Sequence, residues 1–109
     1  METVRVSERI TFRPDKMSKV NLFDAPQMFC DVYCLEPGQA QAPHTHAETA
    51  KVYYVLAGKG VFTIGDEERC LDAGHAVLAC EGQVHGVRNV SDGRLILLVF
   101  MAPNPNHAR

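Results

Sequence analysis

The chain lacks the features that mark membrane-spanning and nucleic-acid-binding proteins. No apolar run in its 109 residues approaches the roughly 20 residues of a membrane span. Eleven basic and thirteen acidic residues give a formal net charge of -2, and neither sign forms a block or a stripe. Because nucleic acids and anionic membrane surfaces select concentrated positive charge, we expect neither of them as the main partner.

Signal-peptide character is absent as well, since the opening stretch METVRVSERI contains no apolar segment of the required kind. We therefore expect a cytoplasmic protein. A chain of this size can bury a hydrophobic core that is stable without disulfide bonds, so its cysteines are expected to be reduced thiols. These cysteines are Cys30, Cys34, Cys70 and Cys80.

Helical periodicity is missing, and short β-type segments take its place. Runs rich in β-branched and aromatic residues alternate with glycine-containing turns at intervals of about ten residues, which predicts one antiparallel barrel or sandwich. The expected strands cover residues 28–35, 52–56, 61–64, 69–71, 76–79, 84–90 and 95–101.

We expect a single domain with three parts. Residues 1–27 form an amino-terminal arm, in which the alternations Val4/Val6 and Ile10/Phe12 suit one or two edge strands. Residues 28–102 form the barrel. Residues 103–109 form a flexible tail that contains two prolines.

Three histidines are the candidate metal ligands. His44 and His46 are one residue apart, so in an extended backbone both side chains point to the same side. His85 begins another apolar segment. A barrel that places these two stretches side by side would surround one divalent cation with three imidazoles.

The spacing around these histidines resembles the motifs of the cupin superfamily. The first cupin motif is a glycine, five residues, His-x-His, three or four residues, a glutamate, six residues and a glycine. The chain matches it with Gly38, His44, His46 and Gly58, but Lys51 stands in the place of the glutamate.

The second cupin motif is a glycine, five residues, Pro-x-Gly, two residues, a histidine, three residues and an asparagine. The chain matches it with Gly74, Gly82, His85 and Asn89, and Cys80 replaces the proline. This substitution has little effect on a turn, because Gly82 still supplies a permissive backbone. We expect Asn89 to bond the backbone of a neighbouring turn.

The resemblance implies a jelly-roll β-barrel whose inward-facing motif histidines bind a divalent metal such as iron, manganese, nickel or zinc. It also implies a homodimer in which amino-terminal strands extend the sheet of the partner, and a small-molecule ligand inside the barrel.

Lys51 leaves three arrangements open, because an ammonium offers a positive charge and no lone pair where the family has a carboxylate. The favoured arrangement has three histidine ligands and the Lys51 amine in water at the barrel mouth. In the second, Glu48 acts as a ligand or pairs with Lys51, provided that the strand continues past His46. In the third, Lys51 lies inside as a neutral amine and a candidate base.

Two hypotheses for function follow. The protein is a metal-dependent enzyme of the dioxygenase or isomerase type that acts on a small oxygenated or anionic molecule, or it is a binding or sensing module whose metal is structural or absent. Lys51 and Tyr53 are the candidate catalytic residues. Tyr53 shares the inward side of its strand with Lys51, so its hydroxyl could reach a ligand.

Overall fold

The computed structural model describes residues 1–107, which form one short 3-10 helix, Val6–Glu8, and nine strands. Five strands make one antiparallel sheet in the order β1-β2-β9-β4-β7, and four make a second in the order β3-β8-β5-β6. The described residues include no helix with the length and apolar character needed to cross a bilayer. The strands are β1 (Ser18–Ala25), β2 (Met28–Leu35), β3 (Ala40–His44), β4 (Ala50–Ala57), β5 (Lys59–Ile64), β6 (Glu67–Asp72), β7 (Ala76–Ala79), β8 (His85–Arg88) and β9 (Leu95–Ala102).

The main core lies between the two sheets and confirms the jelly-roll barrel. Its side chains come from alternate positions of each strand, as the two-residue period of a strand requires. Strand β4 shows this alternation, since Lys51, Tyr53 and Val55 are buried while Tyr54 and Leu56 are exposed. The buried cluster consists of Met17, Tyr33, Leu35, Tyr53, Val55, Phe62, Val87, Leu95, Leu97 and Val99.

A second apolar cluster lies on the outer face of the five-stranded sheet, under the amino-terminal arm. One edge strand lies within residues 1–27, since β1 stands at the edge of the five-stranded sheet, but Val4, Val6, Ile10 and Phe12 precede it and belong to no strand. Those four side chains instead pack over the outward-facing residues of β2, β9 and β1. The outer face of β2 is apolar, and covering it removes apolar area from water at about 25 cal/mol per Å². Cys30 and Cys34 lie in this cluster as free thiols.

The four-stranded sheet depends on a glycine where β8 meets β3. A Cβ atom on Gly86 would lie 2.8 Å from the carbonyl oxygen of Gln41 and 3.0 Å from the nitrogen of Pro43. Only a residue without a side chain lets the two backbones approach this closely. Gly86 therefore fixes the position of its neighbour His85 relative to β3.

The carboxy-terminal segment folds back onto the sheet as far as the described residues extend. Asn104 is fully buried and donates hydrogen bonds to the carboxylate of Asp24 and to the carbonyl oxygen of Ala25. Pro105 and Asn106 follow it at the edge of a cavity described below. Flexibility of residues 103–109 stays a prediction, and residues 108 and 109 lie outside the described part of the chain.

Asn89 has the structural role that the sequence predicts. Its buried amide donates to the carbonyl oxygens of Leu35 (3.0 Å) and Gly93 (2.8 Å), and its own oxygen accepts from the Ser91 amide and hydroxyl. Replacing it with alanine leaves buried backbone groups without partners, which typically costs about 1–3 kcal/mol per group.

We therefore expect Asn89→Ala to lower the free energy of unfolding by about 3 kcal/mol, as measured by urea denaturation. Ser91→Ala is the matched control, because it removes a more exposed hydroxyl of the same turn and should cost less than about 1 kcal/mol. Equal losses in the two variants would contradict this role for Asn89.

Candidate metal centre and ligand cavity

The three motif histidines converge on one point. His44 ends β3 and pairs directly with His85, the first residue of β8. His46 lies just beyond β3, where its carbonyl oxygen accepts a hydrogen bond of 2.8 Å from the amide of Gly82. One ring nitrogen from each histidine lies within 4.8 Å of the others. The geometric prediction for these residues is thereby confirmed.

Backbone carbonyl groups fix the ring tautomers. Nδ1 of His44 lies 2.8 Å from the carbonyl oxygen of Ala42, and Nδ1 of His85 lies 3.0 Å from that of Gln83. Because a carbonyl oxygen only accepts, each Nδ1 carries the hydrogen and each Nε2 keeps its lone pair. A carbonyl bonded to one ring nitrogen is the usual support of a metal-binding imidazole.

His85 provides the test of whether a metal fits. Its Nε2 atom is buried and, among the described residues, is the one buried side-chain nitrogen or oxygen without a hydrogen-bond partner. A buried polar atom without a partner is costly, and a cation bound between the three rings would satisfy it. The donor set therefore suits a divalent transition metal, and His44, His46 and His85 can hold it.

Burial keeps the imidazoles of His85 and His46 neutral, as metal binding requires. Removal from water lowers the pKa of His85 to about 4, and the positive charge of Lys51 and the other two histidines adds to this effect. Burial likewise lowers the pKa of His46. At neutral pH each of these two rings is therefore uncharged, with a hydrogen on one nitrogen and a lone pair on the other.

Glu48 does not join the cluster. Glu48 would face the histidines only if the strand continued past His46, but β3 ends at His44. Glu48 lies exposed in the bend that follows, and the convergent donor atoms among the described residues are those of the three histidines.

The expectation that the Lys51 amine would lie in water is wrong. The side chain points into the barrel from β4 and is 1% exposed. Its Nζ atom lies 4.8 Å from the ring centre of Tyr53 and 5.1 Å from that of Tyr33, so two aromatic faces contact the ammonium. Burial, as the main cause, lowers the pKa of Lys51 to about 7. The structure thus agrees with the third arrangement in the inward position of Lys51, whereas its neutral state and its role as a base stay predictions.

Gln41 holds the amine in place. Its Oε1 atom accepts hydrogen bonds from Nζ of Lys51 (3.0 Å) and from the hydroxyl of Tyr53 (2.8 Å). Its Nε2 atom lies 3.4 Å from the hydroxyl oxygen of Tyr33. Burial raises the pKa of Tyr53 above its usual value, so its hydroxyl keeps the proton that it donates to Gln41.

A cavity of about 310 Å³ is lined by Lys51 and by two of the three histidines, His44 and His46. Lys19 and the half-buried Asp31 lie at its wall, and Asn21 donates a hydrogen bond of 2.8 Å to the Asp31 carboxylate. Burial raises the pKa of Asp31, although Asn21 opposes the shift. The cavity therefore combines two lysines, one carboxylate and imidazole nitrogens within a small volume.

Sequence reasoning did not find Gln41, because residues 41 and 44 would face opposite sides of a regular strand. A shift of register in the β3–β8 pairing between Gln41 and His44 turns both inward. The one sequence signal is Pro43, since proline within a strand often marks an edge or a bulge.

A second cavity, of about 370 Å³, lies near strands β6 and β7, with Phe62, Leu71 and Val77 among its lining residues. It is the larger of the two, but none of the three histidines lines it. We therefore assign the site to the smaller cavity, where polar groups with shifted pKa values converge.

The fold and the site are those of a small β-barrel protein with a cluster of three histidines. Its sequence also matches a known protein family. The cupin domain model matches residues 31–101. The chain therefore belongs to the cupin domain family.

Several known proteins are similar to the chain. The crystal structure of TT1209 from Thermus thermophilus superposes with a TM-score of 0.93 at 43% identity, covering 96% of this chain and all of that one. The pectin degradation protein KdgF of Dickeya dadantii is 32% identical over 58% of this chain and 57% of its own length. The oxalate-binding protein of Thermotoga maritima is 27% identical over 78% of this chain and 69% of its own length.

The buried lysine predicts a specific pH dependence of stability. Its pKa is about 7 in the folded protein against an ordinary 10.5, so the unfolded chain binds more protons between these values. The contribution of Lys51 to stability therefore rises with pH by about 1.4 kcal/mol per unit above pH 7.

We expect metal-free Lys51→Met to be more stable than wild type at pH 7.5, and this advantage to shrink by about 2 kcal/mol at pH 9. Urea denaturation at both pH values measures the free energy of unfolding of each protein and so gives this difference. Lys59→Met, which changes an exposed lysine outside the cavity, is the control, and its stability should vary with pH as that of wild type does. Parallel curves for Lys51→Met and wild type would exclude a titrating Lys51.

Proposed function

We propose that this cupin is a metal-dependent enzyme that acts on a small oxygenated, anionic molecule. His44, His46 and His85 hold the metal, which is iron, manganese, nickel or zinc. The observation that carries the proposal is the buried Nε2 of His85, which faces two further imidazoles and has no hydrogen-bond partner among the described residues.

The chemistry follows from the ligand set. Three neutral imidazoles leave the full double positive charge of the cation in place and leave coordination positions for water and substrate. When bound, the metal supplies Lewis-acid or redox chemistry of the kind that dioxygenases and isomerases use. An anionic ligand suits such a site, because its charge compensates that of the cation.

Lys51 and Tyr53 have different proposed roles. Lys51 lines the cavity, so its amine can contact the ligand and exchange a proton near neutral pH. The Tyr53 hydroxyl donates to Oε1 of Gln41, the same oxygen that accepts from Lys51. Tyr53 therefore acts indirectly, by orienting the Gln41 side chain that holds the lysine. This assignment makes Tyr53 a positioning residue and leaves direct contact with the ligand to Lys51.

The alternative is a binding or sensing module without catalysis. One observation favours it: a positive charge stands where the family motif has a carboxylate, which weakens metal affinity. The names of two relatives concern oxalate binding and pectin degradation, so similarity alone does not choose between binding and catalysis.

Loss of the metal on substitution of one ligand tests the centre. Purified without chelators or affinity metals, wild type is expected to carry about one metal ion per chain by elemental analysis. His85→Ala removes one of three ligands and should weaken affinity at least about a hundredfold. His75→Ala is the control, because His75 lies exposed beside Asp72 and outside the cluster.

Two results would refute the metal centre. One is equal metal content in His85→Ala and wild type. The other is a wild-type protein that stays metal-free after incubation with iron, manganese, nickel and zinc.

A cytoplasmic homodimer is the assembly that we propose. Exposed apolar side chains lie on the outer face of β4 and β7, beside the part of the sheet that the amino-terminal arm covers. Tyr54 is 36%, Leu56 37% and Leu78 53% exposed. Contiguous apolar surface of this kind favours association, and a second copy of the chain is the partner that the family resemblance implies.

The dimer predicts that Leu78→Glu shifts the molecular mass from dimer to monomer in light scattering after gel filtration. A buried charge at the interface without a partner opposes association. Val90→Glu is the matched control, because Val90 is an exposed valine, 63% accessible, on another part of the surface. A dimer that persists in Leu78→Glu and dissociates in Val90→Glu would place the interface elsewhere.

A further inference from the structure

We propose that Lys51 is a second ligand anchor and that the cavity takes a compact dicarboxylate, with one carboxylate at the three-histidine centre and the other on the Lys51 ammonium. This inference rests on the proposed function. It adds the class of ligand and a role for the residue that replaces the usual carboxylate.

The Lys51 amine has unused hydrogen-bonding capacity. An ammonium has three donors. In the described part of the chain, one of them is directed to Oε1 of Gln41, and no carboxylate lies within 4.0 Å of Nζ. A buried ammonium with a single neutral acceptor is costly, and a carboxylate is the group that best stabilises it.

The amine is also held in a fixed direction. Gln41 accepts from Lys51 and Tyr53 through one oxygen, and its amide nitrogen lies against the Tyr33 hydroxyl oxygen, so rotation of the amide would break these contacts. The faces of the two tyrosine rings confine Nζ from two sides. A positive charge held in this way needs little rearrangement to bind an anion.

The charges around the cavity call for more than one negative group. A divalent cation on three neutral imidazoles and the Lys51 ammonium together carry about three positive charges. Asp31 is the carboxylate at the wall; it accepts a hydrogen bond from Asn21, and its charge acts on both Lys19 and Lys51, so it offsets about one of the positive charges. A ligand with one carboxylate compensates either the metal or the lysine, whereas a dicarboxylate compensates both.

The volume of the cavity limits the size of the ligand. At about 310 Å³ it lies at the lower limit of ligand pockets, which span about 300–1,000 Å³. Pro105 and Asn106 of the carboxy-terminal segment also line it. A short, unbranched diacid such as malonate is therefore a suitable probe.

The test compares malonate with acetate by calorimetric titration at pH 6.5, with zinc-loaded wild type, Lys51→Met and Lys19→Met. Zinc content is measured on each sample. We expect wild type to bind malonate at least tenfold more tightly than acetate, and Lys51→Met to keep its zinc while losing this preference. Lys19→Met, which alters an exposed lysine of the same cavity, should retain the preference.

The outcomes separate the two proposals. Wild type that binds neither zinc nor iron, manganese or nickel refutes the metal centre itself. Stoichiometric zinc without a malonate preference, or with a preference that survives in Lys51→Met, refutes the lysine anchor alone. If Lys51→Met does not fold, Lys51→Gln removes the charge while retaining a donor for Gln41, and the same expectation applies to it.

Discussion

The pairing of β3 with β8 is the interaction on which the site depends. Directly opposed residues of antiparallel strands have Cβ atoms about 4.5–5.5 Å apart, which suits two imidazoles on one cation. His44 and His85 are such a pair, and Gly86 permits the close approach of the two backbones. The β-bulge between Gln41 and His44 places His44 opposite His85 and also turns Gln41 toward the inside of the barrel. This one β-bulge thus positions both a candidate metal ligand, His44, and the hydrogen-bond acceptor of Lys51, Gln41.

The lysine makes the electrostatics of this cavity differ from those of a site with a carboxylate ligand. A carboxylate would reduce the charge of a bound divalent cation, whereas the Lys51 ammonium adds to it at short range. Burial already lowers the pKa of this amine to about 7. A bound cation and a charged lysine would therefore oppose each other, and an anion would stabilise both. Under the proposed function, metal binding and anion binding would be coupled for this reason, and such a coupling is reciprocal.

The sequence predicts the elements that depend on local signals and misses those that depend on packing. Two-residue alternation and turn glycines locate β2, β4, β7 and β9 closely, because these patterns are properties of single strands. Motif spacing predicts the histidine cluster. Within the arm, the alternating pattern suggests a strand too early in the chain: β1 begins at Ser18, and Val4 and Phe12 instead cover an apolar sheet face that no local pattern reveals. The position of Lys51 depends on Gln41, and the bulge that aims Gln41 has only Pro43 as a signal.

Strand β4 connects the site with the outer surface of the molecule. Its inward residues Lys51 and Tyr53 belong to the cavity network, while Tyr54 and Leu56 alternate with them on the exposed face. The strand pairs with β9 on one side and β7 on the other, so its backbone is held on both edges. Because successive side chains of a strand share one rigid backbone, a partner bound to the outer face would restrain the residues that orient the lysine. A partner on the outer face, as proposed above, would therefore contact side chains that alternate along one strand with those of the cavity.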